Sequence, residues 1–194
     1  MSSERGVWGG QWLKEHALRH GDQQEALTLA ERLFWDRPTL GGYGELRALA
    51  RPLGCWCELR KSLIARLDEE ENQTLLMEIY LQEGEVDQAL ETLEEMRAAS
   101  GRVRMHLGLT PRVAWAAEEA RPRDAIHLYV QTVERLIAYR GRHNYAATAT
   151  YVKGIRGLYQ RLDETATWQA TIGALRDGNR RLRALRDELK KAGL

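Results

Sequence analysis

The segment HGDQQEALTLAERLFWDRP, residues 20–38, decides the fold, and a related segment, EGEVDQALETLEEM, follows at residues 83–96. Each carries a glycine five residues ahead of an Ala-Leu pair that begins an apolar stripe with helical spacing. The glycine supplies left-handed backbone that ends one helix, and the alanine lets the next helix approach its partner closely. The repetition therefore predicts antiparallel helical hairpins.

Helical spacing of apolar residues recurs along almost the whole chain, whereas the alternation typical of strands never extends beyond four or five positions. In the first segment Asp22 is the predicted N-cap, and Pro38 ends the helix. The second helix ends at Gly101, and a third, after Pro122, ends at Gly141. Further helices are predicted at about 11–20, 43–51, 57–70, 73–83, 102–120, 144–162, 164–176 and 179–191, which makes about eleven in all.

The apolar stripes of the three recurring helices are predicted to face the core. Tyr145 and Tyr159 are assigned to core-facing positions of the later helices. The stripes consist of Ala26, Leu29, Ala30, Leu33 and Phe34 in the first helix, Val86, Ala89, Leu90, Leu93 and Met96 in the second, and Ile126, Tyr129, Val130, Val133, Leu136 and Ile137 in the third.

This pattern resembles the tetratricopeptide repeat, whose second helix follows a G-x-x-x-x-A-L phrase and often ends at a proline. Gly21, Ala26 and Pro38 match the phrase in register, and Gly84 and Ala89 match it without the proline.

Ala125 is the third match, although Ala120 stands where the glycine would be. Ala26, Ala89 and Ala125 are spaced by 63 and 36 residues, near two and one copies of a unit of roughly 34 residues. The predicted fold is therefore all-α, with antiparallel helical hairpins stacked as a degenerate tetratricopeptide-like α-solenoid. We predict one such domain over residues 11–194, after a flexible segment at residues 1–10.

The charge is distributed unequally between the two halves of the chain. Residues 1–100 carry 11 Lys/Arg against 19 Asp/Glu, a net charge of −8, and residues 101–194 carry 18 against 9, a net charge of +9. The acidic half, to about residue 100, and the basic half after it make self-association through opposite charges one hypothesis. No apolar run approaches the roughly 20 residues of a membrane span, and two cysteines suit a reducing compartment, so we expect a cytoplasmic protein that binds no membrane.

Several segments resemble the helical region that lies C-terminal to the zinc module in bacterial SWIM zinc finger proteins. They are AERLFWDRPTLGGYGELRALA at 30–50, EGEVDQAL at 83–90, RPRDAIHLY at 121–129, RLIAYRGRHNYAATATYVKGIRGLYQRL at 135–162 and LRALRDELKKAGL at 182–194. The resemblance implies a fragment or short relative of such a protein, and an association with nucleic acid or with large ATPase complexes. It carries over no catalytic residue.

The chain departs from that family at the zinc module, which needs Cys-x-Cys and then Cys-x-His as four tetrahedral ligands. Cys55 and Cys57 form a Cys-x-Cys, but the sequence has no further cysteine. A site shared with His106 or His127 is the alternative to a small buried pair, and we favour the buried pair. His16 and His20 share a helix face without a third ligand, so we predict no metal and no cofactor.

The best functional candidate is the helix–helix corner at residues 140–145, RGRHNY. Arg140 and Arg142 offer bidentate donors to a phosphate or carboxylate, and Asn144 is placed to cap the following helix. The other interpretation is structural and is the one we favour: the arginines bond to the carbonyl groups that end the preceding helix.

Two other groups of residues complete the candidate partner-binding or anion-binding set. Tyr151 lies near Lys153 and Arg156 on one helix, where aromatic and basic side chains can bind a peptide or stack on bases. The last helix is basic, and Arg180, Arg181 and Arg183 carry most of that charge.

Since no acid–base pair, nucleophile or cofactor motif assembles, we predict a non-enzymatic scaffold that binds a protein partner. The alternative is an accessory nucleic-acid-binding region that acts through the basic half.

Overall fold

The computed structural model describes the backbone of residues 2–100 and 108–194 and the side chains of residues 10–98 and 108–194. Within these residues the chain is helical and has no strand, which confirms the predicted all-α class. The helices are α1 (Ser2–Arg19), α2 (Gln23–Asp36), α3 (Leu40–Ala50), α4 (Trp56–Glu69), α5 (Gln73–Glu83), α6 (Val86–Ser100), α7 (Leu109–Ala117), α8 (Pro122–Tyr139), α9 (Arg142–Arg161), α10 (Thr165–Gly178) and α11 (Arg183–Lys191).

Helices that follow one another along the chain pack in pairs, as the hairpin prediction requires. Contacts join α1 to α2, α2 to α3, α3 to α4 and α4 to α5, and then α7 to α8, α8 to α9 and α9 to α10. The chain divides into two compact units, Met1–Thr92 and Leu93–Leu194, which are described separately. The single domain proposed for residues 11–194 stays a prediction.

Some helix boundaries differ from those that the sequence predicts. The backbone is helical from Ser2, whereas the sequence predicts flexibility up to residue 10, where three glycines lower the helix propensity. The last helix begins at Arg183 instead of residue 179, because the preceding helix continues to Gly178. Gly101 and the first residues of the helix predicted at 102–120 lie outside the described residues.

The repeated glycine phrase forms the same turn twice. Gly21 and Gly84 both adopt left-handed backbone, with φ angles of 80° and 75°. The amide after each glycine donates to the carbonyl five residues earlier, at 3.0 Å in the first turn and 2.9 Å in the second. Asp22 then caps α2 as predicted, since its carboxylate accepts from the Glu25 amide at 2.9 Å. One local signal therefore ends one helix and begins the next in both segments.

The alanine of each phrase is fully buried. Ala26, Ala89 and Ala125 all have 0% of their surface exposed. Alanine presents only one methyl group, so a helix carrying it at a crossing can approach its neighbour more closely than one carrying leucine. Each phrase therefore places a small residue in the core.

A buried phenol that donates to a carboxylate recurs in both units. The Tyr43 hydroxyl donates to Glu83 at 2.9 Å in the first unit, and the Tyr129 hydroxyl donates to Glu118 at 2.6 Å in the second. Arg60 also donates to Glu83, at 2.8 Å, and so ties α4 to α5. Burial and the adjacent carboxylate raise the pKa of both phenols.

We expect Ala125→Leu to lower the free energy of unfolding by about 2 kcal/mol, because the fully buried site has no room for the larger side chain without displacement of its neighbours. Ala138→Leu, on the exposed side of α8, is the matched control and should change stability by less than about 0.5 kcal/mol. Urea denaturation followed by circular dichroism measures both. Equal effects of the two substitutions would contradict close packing at Ala125.

We expect the stability of the protein to fall as the pH rises above 10. The unfolded chain releases the Tyr43 proton near its ordinary pKa of 10.0, whereas burial and Glu83 keep the folded phenol neutral to higher pH. Above pH 10 the unfolded chain therefore ionises at Tyr43 before the folded protein does, and this shifts the equilibrium toward the unfolded state. In urea denaturation at pH 8 and pH 11, Tyr43→Phe should lose less stability between the two conditions than the unchanged protein. Identical losses would show that Tyr43 does not contribute.

Candidate functional site

Two hollows lie on opposite sides of α8, within the unit Leu93–Leu194. The first has a volume of about 460 Å³, and we call it the Tyr139 hollow. The second, of about 500 Å³, separates α8 from α10 and has α9 as its floor, and we call it the α8–α10 groove. The Tyr139 hollow is lined chiefly by Pro111, Arg135, Leu136, Tyr139, Asn144 and Tyr151, and the α8–α10 groove by Val130, Val133, Ile137, Ile155, Trp168 and Ile172.

Both hollows arise because the apolar stripe of α8 is wider than the core requires. Tyr129 and Val133 are buried as predicted, but Val130, Leu136 and Ile137 are only half-buried. Val130 and Ile137 face the α8–α10 groove, and Leu136 faces the Tyr139 hollow. The three residues therefore leave apolar surface open on both sides of the helix.

Arg135 gives the Tyr139 hollow a positive charge that its surroundings do not neutralise. Its side chain is half-buried, and within the described part of the chain no carboxylate lies at ion-pair distance. Burial and the nearby Arg97 guanidinium lower the pKa of Arg135. Arg97 is itself paired with Glu94 at 2.8 Å and donates to Gln131. A partly desolvated guanidinium without a counter-ion favours an incoming carboxylate.

Aromatic side chains border the same hollow. Tyr139 is 50% exposed, at the last residue of α8. Tyr151 is half-buried, and its ring lies 5.5 Å from the Tyr129 ring at an angle of 32°. The structure therefore places the predicted Tyr151 on a cavity wall, where it is held by another aromatic ring.

Asn144 lines the Tyr139 hollow, but its predicted role as a helix cap is wrong. α9 begins at Arg142, with Gly141 at the capping position, so Asn144 lies within the first turn. Its amide instead donates to the Arg140 carbonyl at 2.6 Å. The reason is that Gly141 adopts a φ of 95°, which starts the helix earlier than the pattern predicts.

Three predicted arginines lie around one further cavity. Arg140, Arg180 and Arg181 line a cavity of about 450 Å³ that we call the arginine cavity, and Asp177 supplies an acidic side chain to its lining. Asn179 lines both this cavity and the α8–α10 groove, so the two adjoin. The structure thus brings together residues from the corner RGRHNY and from the basic C-terminal segment, which the sequence treats as separate candidates.

The remaining predicted site residues have other contacts or are simply exposed. Arg142 pairs with Glu188 of α11 at 3.4 Å, and Arg156 donates to the Gly193 carbonyl at 3.0 Å. Both interactions hold the C-terminal turn and α11 against α9. Lys153 and Arg183 are exposed on α9 and α11.

The histidines and cysteines are placed as follows. The rings of His16 and His20 stack with centroids 4.1 Å apart. Cys55 is half-buried and Cys57 is exposed, so the preferred buried pair is wrong, since only part of the first thiol is covered. His106 lies outside the described residues. Within residues that the structure describes, no group of three or more His, Cys, Asp or Glu could hold a metal ion.

Sequence reasoning missed Arg135 and Tyr139 as site residues. A signal for both is present in the sequence, because each interrupts or ends the apolar stripe of α8 beside Leu136. The arginine cavity has no such signal, since about 40 residues separate Arg140 from Arg180.

Comparisons with known proteins give a limited result. No family model and no solved structure matches the chain. A stretch of 73 residues is 34% identical to a protein of Bacillus subtilis (strain 168) described as "Uncharacterized protein YwqB". The match covers 38% of this chain and 14% of that protein. Among the described helices, none has both the length and the apolar character required to cross a membrane.

We expect Arg140→Gly to raise the free energy of unfolding by about 1 kcal/mol. Arg140 adopts φ 57° and ψ −178°, a conformation almost restricted to glycine. Glycine removes that backbone strain, and the conformational entropy that glycine loses on folding costs less than the strain. Lys153→Gly, in the middle of α9, is the control and should lower stability by about 1 kcal/mol. Thermal and urea denaturation measure both. If Arg140→Gly loses as much stability as Lys153→Gly, the backbone at Arg140 is not strained.

Proposed function

We propose that this chain is a non-enzymatic helical-repeat scaffold that binds a segment of a protein partner in the Tyr139 hollow. The observation that carries the proposal is Arg135, a half-buried guanidinium without a carboxylate partner in the described part of the chain, on the wall of an apolar hollow. The resemblance to the helical region of SWIM zinc finger proteins supports a role inside, or related to, a larger protein of that kind. A reducing compartment such as the cytoplasm fits its free thiols.

The lining of the hollow suits a protein segment better than a small polar ligand. Tyrosine and arginine are the residue types that contribute most to protein interfaces, and Tyr139, Tyr151 and Arg135 lie together here. Leu136 adds apolar surface between them. The fitting segment has an apolar side chain that packs on Leu136 and Tyr139, next to a carboxylate that pairs with Arg135.

The second candidate is an accessory nucleic-acid-binding region. It is favoured by the three arginines of the arginine cavity and by the net charge of +9 over residues 101–194. Such binding should weaken steeply as salt increases, because each neutralised phosphate releases counter-ions. Substitution of Arg180, Arg181 and Arg183 by alanine should then remove most of the affinity for an oligonucleotide.

The variant Tyr139→Ala tests the proposed function. Tyr139 is 50% exposed, so its loss should leave the fold intact while it removes the aromatic wall of the hollow. In cross-linking capture with the full chain as bait, after nuclease treatment, we expect specific proteins to be lost with Tyr139→Ala. The affinity of a captured, purified partner should fall on the order of tenfold.

Trp115→Ala provides the matched control, since Trp115 is a 73% exposed aromatic residue of α7. It should capture the same proteins as the unchanged chain. Capture that is indifferent to Tyr139→Ala, or that disappears on nuclease treatment, would contradict the proposed function. In the second case, retention of a single-stranded oligonucleotide at about 50 mM salt would support the nucleic-acid alternative.

A further inference from the structure

The α8–α10 groove is an apolar surface that the described helices leave uncovered. Its walls come from α8 and α10, both of which pack on α9, so α9 forms the floor. Val133, Ile155 and Ile172 are buried in its depth, whereas Val130 and Leu175 are only half-buried at its sides. A groove between two helices that is lined with apolar side chains can accept a ridge of side chains from a third helix.

The length of the groove indicates how much helix it can take. Its lining runs along α10 from Trp168 to Asn179, which corresponds to about 16 Å of helix axis, or three turns. An amphipathic helix of that length presents apolar residues at positions i, i+3, i+4 and i+7.

The charge at one end of the groove identifies the polar part of its occupant. Asn179 lines both the groove and the arginine cavity, so a helix that leaves the groove there meets Arg140, Arg180 and Arg181. Asp177 supplies a negative charge to that lining. The excess of guanidinium groups favours carboxylates of the occupant over basic or neutral side chains.

The backbone at Arg140 is a second, independent observation at this end. Arg140 adopts a φ of 57° with extended ψ, where glycine has no penalty, yet this sequence carries the long charged side chain there. The residue directly after it is a glycine. Arg140 therefore lines the arginine cavity in spite of the glycine preference of its backbone conformation.

From these observations we infer that the α8–α10 groove and the arginine cavity form one continuous binding surface. It takes an amphipathic helix of about three turns from a partner protein, with acidic residues at the end that meets the arginines. This surface lies on the opposite side of α8 from the Tyr139 hollow, so it is a second site beyond the proposed function.

A pair of synthetic peptides tests this inference on the full chain. Both have about 14 residues, leucines at the four helical positions and capped termini, and they end in either three glutamates or three lysines. Fluorescence anisotropy should detect binding of the glutamate peptide. The double variant Arg180→Glu with Arg181→Glu should weaken it on the order of tenfold and should favour the lysine peptide instead.

Two matched controls distinguish a specific contact from a general effect of net charge or of unfolding. Arg183→Glu with Arg186→Glu makes the same change in net charge on the exposed side of α11 and should leave the affinity for the glutamate peptide within about twofold. Leu175→Asp, on the groove wall, should abolish binding, whereas Ala170→Asp, on the exposed side of α10, should not. Circular dichroism confirms that each variant remains helical.

Several results would overturn the inference. Equal binding of the two peptides would show that the arginines do not select the acidic end, and sensitivity to Arg180 and Arg181 without sensitivity to Leu175 would show attraction by charge alone. Absence of binding by both peptides, or displacement of the glutamate peptide by a single-stranded oligonucleotide, would also overturn it. Dimerisation of the chain itself, abolished by the double arginine variant, would assign the groove to a second copy. None of these results depends on Tyr139, so the proposed function is tested separately.

Discussion

The architecture depends on small residues that are completely buried inside the helical packing. Ala26, Ala89 and Ala125 occupy the same place in three helices, and none has exposed surface. A methyl group needs little space, and a closely packed interior does not accommodate a longer side chain without displacement. The left-handed glycines Gly21 and Gly84 end the helix that precedes each of the first two alanines within a few residues.

The same packing explains why open apolar surface remains around α8. A helix buries only the face that its neighbours cover. In α8 that face includes Ala125, Tyr129 and Val133, while Val130 and Leu136 are only half-buried. Side chains beside the buried face are covered only where another helix reaches them, and the described neighbours leave both sides partly open. Hollows on opposite sides of one helix are therefore a consequence of how the helices pair.

The sequence predicts the parts of this structure that arise from local chemistry. The all-α class, the Asp22 cap and the turns at Gly21 and Gly84 follow from residues that are neighbours in the chain, and the structure confirms them. The capping role of Asn144 is wrong because Gly141 starts α9 with an unusual backbone angle that periodicity does not reveal.

The candidate site is less accessible to sequence reasoning, because it depends on distant residues. Arg140 and Arg180 line the same cavity only because the C-terminal ends of α8 and α10 lie side by side on α9. Arg142 and Arg156 look like equally good anion ligands in the sequence, yet their partners on and after α11 occupy them. Which arginines are available is decided by the placement of α11, and no local pattern encodes that placement.

The corner between α8 and α9 connects the two surfaces physically. The Asn144 amide lines the Tyr139 hollow and donates to the Arg140 carbonyl at 2.6 Å, and the Arg140 side chain lines the arginine cavity. The bond supports Arg140 in a conformation that its backbone alone disfavours.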